Sequence, residues 1–279
     1  MKIKLQQFLS FGFLLELFLF AFSLFLAMSI AFNLGSRMQL VPQNTPSNFS
    51  AWEFILAFFI GTLILWLSIK YFKRPLLIRI FFYLAIFDGL IIFSQAYFGW
   101  PWSLLAFGFI MGIWLAYNNI LLHNLILALA ISSISVIFGL NLTPNAVIII
   151  LLILAIYDYW AVYKTKHMVK MFTGMAEVKV HFAFIIPPAI RGLFQKVKDV
   201  SLSSEYVFLG TGDLAMPTIF VVTCLKISLL ASFFTAFGAI LGFIGLYAIF
   251  MSQKDKKPMP GLPPIILGAL IGYLVSFLI

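Results

Sequence analysis

Charge is scarce in this sequence. Only 10% of its 279 residues are Asp, Glu, Lys or Arg, whereas 63% are hydrophobic. A water-soluble domain of this size needs a polar exterior, and about a quarter of an ordinary domain's residues are charged. That scarcity excludes an aqueous globule and leaves lipid as the solvent for the outer surface. Cysteine is nearly absent as well: Cys224 stands alone inside an apolar run, so no intrachain disulfide framework exists and no redox compartment can be read. Acidic residues number nine against eighteen basic ones, for a net charge of +9. The basic residues fall in short clusters between apolar runs, with no basic amphipathic helix, which points to membrane topology and excludes nucleic-acid binding. Several chemical motifs are also missing. There is no His-Glu-x-x-His zinc motif, no Gly-x-Ser-Gly nucleophile, no P-loop and no dinucleotide glycine motif. His123, His167 and His181 lack metal-ligand spacing, which suits interface or loop roles, so neither metal nor cofactor is expected.

Long apolar runs are what the chain does have. A bilayer-spanning helix needs about 20 mostly apolar residues, and that length predicts an all-α polytopic membrane protein of nine segments. They fall near 8–32, 52–70, 76–98, 101–117, 119–140, 145–165, 205–225, 227–250 and 261–279. The first run is too long for the h-region of a cleaved signal, so an uncleaved helix is expected. With nine spans and the N-terminus inside, sixteen of the eighteen Lys and Arg residues fall on the inner side, leaving Arg37 and Lys226 outside. This satisfies the positive-inside rule and puts the C-terminus outside. The chain divides into an N-terminal half (1–165, spans one to six), an inner loop (166–204) and a C-terminal half (205–279, spans seven to nine). The loop is partly apolar: Val180–Ile186 precedes Pro187-Pro188, which suits a surface loop grazing the bilayer, a re-entrant or interfacial segment, or one packed over a cavity mouth. Three small-xxx-small pairs, Gly108/Gly112, Gly238/Gly242 and Gly268/Gly272, predict close helix packing.

Four acids lie at membrane depth: Glu16, Asp88, Asp158 and Asp213. Such groups are costly in lipid and usually mark function. Glu16 reads as an acid satisfied by neighbouring helices, and Asp88 is balanced between structure and function. Asp158 and Asp213 stand apart because they match in depth. Asp158 precedes Lys164 by six residues and Asp213 follows Glu205 by eight, placing them about 9 Å and about 12 Å below the inner surface. Antiparallel neighbours can therefore set the two carboxyls face to face. Facing carboxyls share a proton, so one can activate water while the other polarises a peptide carbonyl. Gly210 and Gly212 remove side-chain bulk before Asp213. Pro217, four residues on, deprives the Asp213 carbonyl of its helical donor.

These residues carry a resemblance. Tyr157-Asp158, Gly210-Thr211-Gly212-Asp213 and Pro260-Gly261-Leu262-Pro263 resemble the YD, GxGD and PAL motifs of the presenilins and signal peptide peptidases, the GxGD intramembrane aspartyl proteases. Order, spacing and host segments fit. One departure is Gly261, where the family usually has Ala. The resemblance implies that Asp158 and Asp213 are the catalytic pair. It further implies that Tyr157, Gly210, Thr211, Gly212, Pro260, Gly261, Leu262 and Pro263 shape the active site. The chain looks most similar to prokaryotic, archaeal members, which implies transmembrane segments as substrates and no obligatory accessory subunit. A homo-oligomer is also allowed.

Other readings stay open at this stage. A proton-coupled transporter also carries paired membrane acids on broken helices, with Asp88 and Glu16 as its best support. Preflagellin and prepilin peptidases share GxGD but not the Pro-Gly-Leu-Pro element, and a non-catalytic binding protein could use the same scaffold.

Overall fold

The computed structural model describes residues 10–38, 50–67, 75–164, 183–200, 206–253 and 259–278. Among them are nine α-helices: α1 (Phe11–Met38), α2 (Ala51–Leu67), α3 (Pro75–Phe98), α4 (Trp102–Tyr117), α5 (Ile120–Asn141), α6 (Pro144–Tyr163), α7 (Thr211–Cys224), α8 (Leu229–Ser252) and α9 (Leu262–Val275). Between α6 and α7 lie two short strands, β1 (Ala183–Ile186) and β2 (Val207–Gly210), and two 3-10 turns, Ile190–Phe194 and Val197–Asp199. Five helices are long and apolar enough to cross a membrane, while α2, α4, α7 and α9 are shorter.

Helix starts follow local side-chain chemistry. Asn119 accepts from the Leu122 N–H at the head of α5, Thr143 from Ala146 at α6, and Ser228 from Ala231 at α8. Each satisfies a donor that the first helical turn leaves orphaned. Ser50 and Glu53 cap α2 reciprocally, the Ser50 N–H donating to Glu53 and the Glu53 N–H to Ser50, a capping box.

The helices pack through small residues and buried hydroxyls. A Cβ on Gly89 would lie 2.5 Å from the Ala130 Cα, and one on Gly139 would lie 2.7 Å from the Val222 side chain. These contacts bring α3 and α7 against α5. Helices α8 and α9 meet at Gly238, Gly242, Gly268 and Gly272, where added Cβ atoms would overlap the opposing backbone. Two of the three expected small-residue pairs thus join helices. Gly108 and Gly112 do not: both are exposed on α4, and no atom lies within 4 Å of either Cβ position. Helix α7 is further tied by Thr223 donating to the Gly139 carbonyl and by Ser232 of α8 donating to the Val221 carbonyl, bonds that apolar surroundings favour.

One end of the bundle gathers the pieces that matter for chemistry. The Ile120 N–H donates to the Gln195 carbonyl and the Val197 N–H to the Asn118 carbonyl, so the α4–α5 turn is stitched to the 3-10 segment. Gly12 of α1 approaches Ile186 of β1, and Tyr247 of α8 contacts Ser10. At the opposite end Lys226 donates to the Leu142 carbonyl, closing the α5–α6 turn. Burial lowers the proton affinity of that ammonium.

Two expectations change. The seventh segment does not begin as a helix near 205: Val207–Gly210 is a strand paired antiparallel with β1, in the register Ala183↔Gly210 to Ile186↔Val207. A β-branched and aromatic run ending in glycine favours extended chain over another helical turn. The apolar stretch before Pro187 is likewise strand over its described part and fully buried inside the protein, so it is not a surface loop. Val180–Phe182, His167, His181 and Glu205 lie outside the described residues.

Candidate active site

Asp158 sits in the last turns of α6 and is 1% exposed. Its carboxyl faces the start of α9, where the Leu262 N–H donates to Asp158 Oδ2 at 3.1 Å and the Gly261 N–H adds a second bond. The sequence explains this focus. A helix leaves its first N–H groups without partners, but Pro263 and Pro264 have none to offer. The N–H groups remaining at the N-terminus of α9, those of Gly261 and Leu262, converge on one carboxyl.

Asp213 is the third residue of α7. Because β2 replaces the expected first turns, it belongs to the first helical turn rather than to mid-helix. Its half-buried carboxyl lies between two glycines: a Cβ on Gly210 would stand 3.1 Å from Asp213 Oδ2, and one on Gly261 would stand 2.8 Å from its Cγ and Oδ2. At Gly261, where the family usually has alanine, the carboxyl occupies the space of the missing methyl. Gly261 thus touches both acids, through its N–H to Asp158 and its bare Cα to Asp213. The two carboxyls interact electrostatically across it. Each lies at a helix N-terminus, where unpaired N–H groups stabilise negative charge.

The family model for signal-peptide peptidase and presenilin aspartyl protease matches residues 15–279. The chain belongs to that family. It is an intramembrane aspartyl protease. Two solved structures titled as a presenilin family intramembrane aspartate protease share the fold. One, in space group C222, gives a TM-score of 0.64 at 20% identity, covering 94% of this chain and 97% of that one. The other, in space group P2, gives 0.62 at 22% identity, covering 93% and 96%. A comparison with curated proteins gives no match.

Other expected site residues of the protease fall into two groups. Gly210 ends β2 and precedes α7, Pro260, Gly261 and Leu262 are buried beside the acids, and Pro263 is half-buried in the first turn of α9. Gly212 is exposed with an open Cβ position, and Thr211 is the first residue of α7. The ring of Tyr157 stands edge-on to Phe59 at 5.3 Å and to Phe58 at 6.2 Å, packing α2 against α6, and Tyr157 also interacts electrostatically with Asp158. Glu16 is buried in α1 and Asp88 is exposed on α3.

Sequence reasoning missed the polar residues behind the hairpin. His123 is not a loop or surface residue: it is 3% exposed in the first turns of α5, and its Nε2 lies 3.2 Å from the Ala183 carbonyl. Asn124 beside it bonds Ile185. An amide inside an apolar helix start was the available signal, since Asn is a poor helix former.

Proposed function

We propose that Asp158 and Asp213 together hydrolyse one peptide bond within a substrate's transmembrane segment. The observation that carries this reading is Gly261, against which both carboxyls lie. One carboxylate takes a proton from water as its oxygen attacks the peptide carbonyl carbon. The other, protonated, donates to the carbonyl oxygen. Collapse of the tetrahedral adduct breaks the C–N bond, and the leaving nitrogen takes up a proton. The pair titrates jointly, so the roles of acid and base belong to the pair.

The reading extends to topology. Nine spans, with the N-terminus inside, the C-terminus outside and the site toward the cytoplasm, agree with the distribution of Lys and Arg. Helix α7 alone rises only about 21 Å. Strand β2 adds about 13 Å, and together they match a hydrocarbon core of about 30 Å. The protease needs no accessory subunit, and its partners are the transmembrane segments it cuts.

The test is cleavage of a fluorogenic single-span peptide in detergent by wild type, Asp158→Asn and Asp213→Asn. Both variants should fall by at least about a thousandfold. Full activity in either one overturns the catalytic pair.

A further inference from the structure

The two 3-10 turns between the strands present large apolar side chains on the outside. Ile190 is 62% exposed and Phe194 66%, although Leu193 and Val197 of the same stretch are buried with Ile120 of α5 and Ile185 of β1. Arg191, Lys196 and Lys198 are exposed beside them, against one exposed acid, Asp199. Among the described residues, none of these cations is held by a carboxylate. Bulk water would satisfy the cations but not the apolar pair, and hydrocarbon would do the reverse. The layer where acyl chains meet headgroups satisfies both, and anionic headgroups supply the complementary charge.

The height of the segment fits that layer. Backbone bonds from Ile120 to Gln195 and from Val197 to Asn118 fix it against the α4–α5 turn, where two helices reverse and so leave the hydrocarbon. Tyr117, the last residue of α4, is 66% exposed beside that turn, as an interfacial aromatic is. The segment is also tied to the site. The Tyr206 hydroxyl donates to the Gln195 side chain, Val207 begins β2, and Gly210 at its end touches the Asp213 carboxyl.

We propose that residues 190–199 dock on the anionic headgroups of the inner leaflet and that cleavage by the protease depends on this docking. Ile190 and Phe194 enter the acyl boundary, and Arg191, Lys196 and Lys198 meet lipid phosphates. This rests on the topology and the catalytic pair read above, and its test separates the three.

The full chain is placed in vesicles of phosphatidylcholine alone and of phosphatidylcholine mixed with phosphatidylglycerol. A spin label is attached at Phe194→Cys, since the buried Cys224 takes none. Its collisions with oxygen and with a water-soluble nickel complex give its depth. In the mixed vesicles the label should lie about 5 Å below the headgroup phosphates, and a label in water overturns the proposal. Ile190→Cys gives the same reading if Phe194→Cys does not fold.

Wild type should cut a single-span peptide about fivefold faster in the mixed vesicles, the worth of one cation at an anionic surface. The triple variant Arg191→Gln, Lys196→Gln, Lys198→Gln should lose that advantage while matching wild type in detergent. Equal wild-type rates in the two kinds of vesicle, or a triple variant that keeps the advantage, overturn the proposal. An impermeant maleimide that reaches Lys198→Cys from outside intact cells refutes the inner placement alone, and label depth still decides the docking. Cutting by Asp213→Asn refutes the catalytic pair alone, and both lipid comparisons still decide the proposal.

Discussion

Helices α8 and α4 carry the same glycine spacing and use it differently. On α8, Gly238 and Gly242 meet Gly268 and Gly272 of α9 backbone to backbone. On α4, Gly108 and Gly112 face outward with nothing against them. Helix α2 is intermediate, held through the rings of Phe54, Phe58 and Phe59 against Phe138 and Tyr157. Spacing thus permits close approach without specifying it. What sets α8 and α9 apart is the facing partner: a second glycine pair on the next helix, joined by a short connection. The α8–α9 seam lies beneath the Pro260–Pro263 segment, which must hold two N–H groups on one carboxyl, whereas α4 turns its glycines outward.

Substitutions along this gradient should fall in effect from α9 outward. Gly272→Val drives a side chain into the Phe234 carbonyl and should cost about 3 kcal/mol. That corresponds to roughly 10 °C in Tm by thermal unfolding in detergent, and an unchanged Tm would show that the interface yields. Gly261→Ala, at the head of the same helix, places a methyl 2.8 Å from the Asp213 carboxyl. The flexible carboxyl can move aside, so Tm should hold within about 2 °C, while displacement of the acid lowers kcat about tenfold. Wild-type kcat in that variant would mean that the acid has room to spare. Phe59→Leu removes an edge-to-face contact with Tyr157 and should cost about 1 kcal/mol, a Tm shift of about 3 °C. Gly108→Val should leave Tm unmoved, and a clear fall would reveal a contact on the open face of α4.

Much of this was legible before the structure. The apolar runs located the helices, because segments of bilayer length follow from hydrophobicity alone. Asp158, Asp213 and the Pro260–Pro263 loop were legible because acids are rare at that depth and each motif carries backbone chemistry. Less legible was the start of α7. An apolar run such as Val207–Gly210 suits strand or helix equally, and only pairing with the distant β1 decides. The packing of Tyr157 against Phe58 and Phe59 was hidden for a related reason: its ring partners lie on α2, about a hundred residues away in sequence. The closeness of Gly261 to both acids depends on tertiary placement that no local pattern encodes.

Asn124 of α5 holds both backbone groups of Ile185 in β1, β1 pairs with β2, and Gly210 at the end of β2 touches the Asp213 carboxyl. The small sheet is therefore a mechanical link between the fifth helix and the acid of the seventh, and a change that shifts the start of α5 should be felt at Asp213.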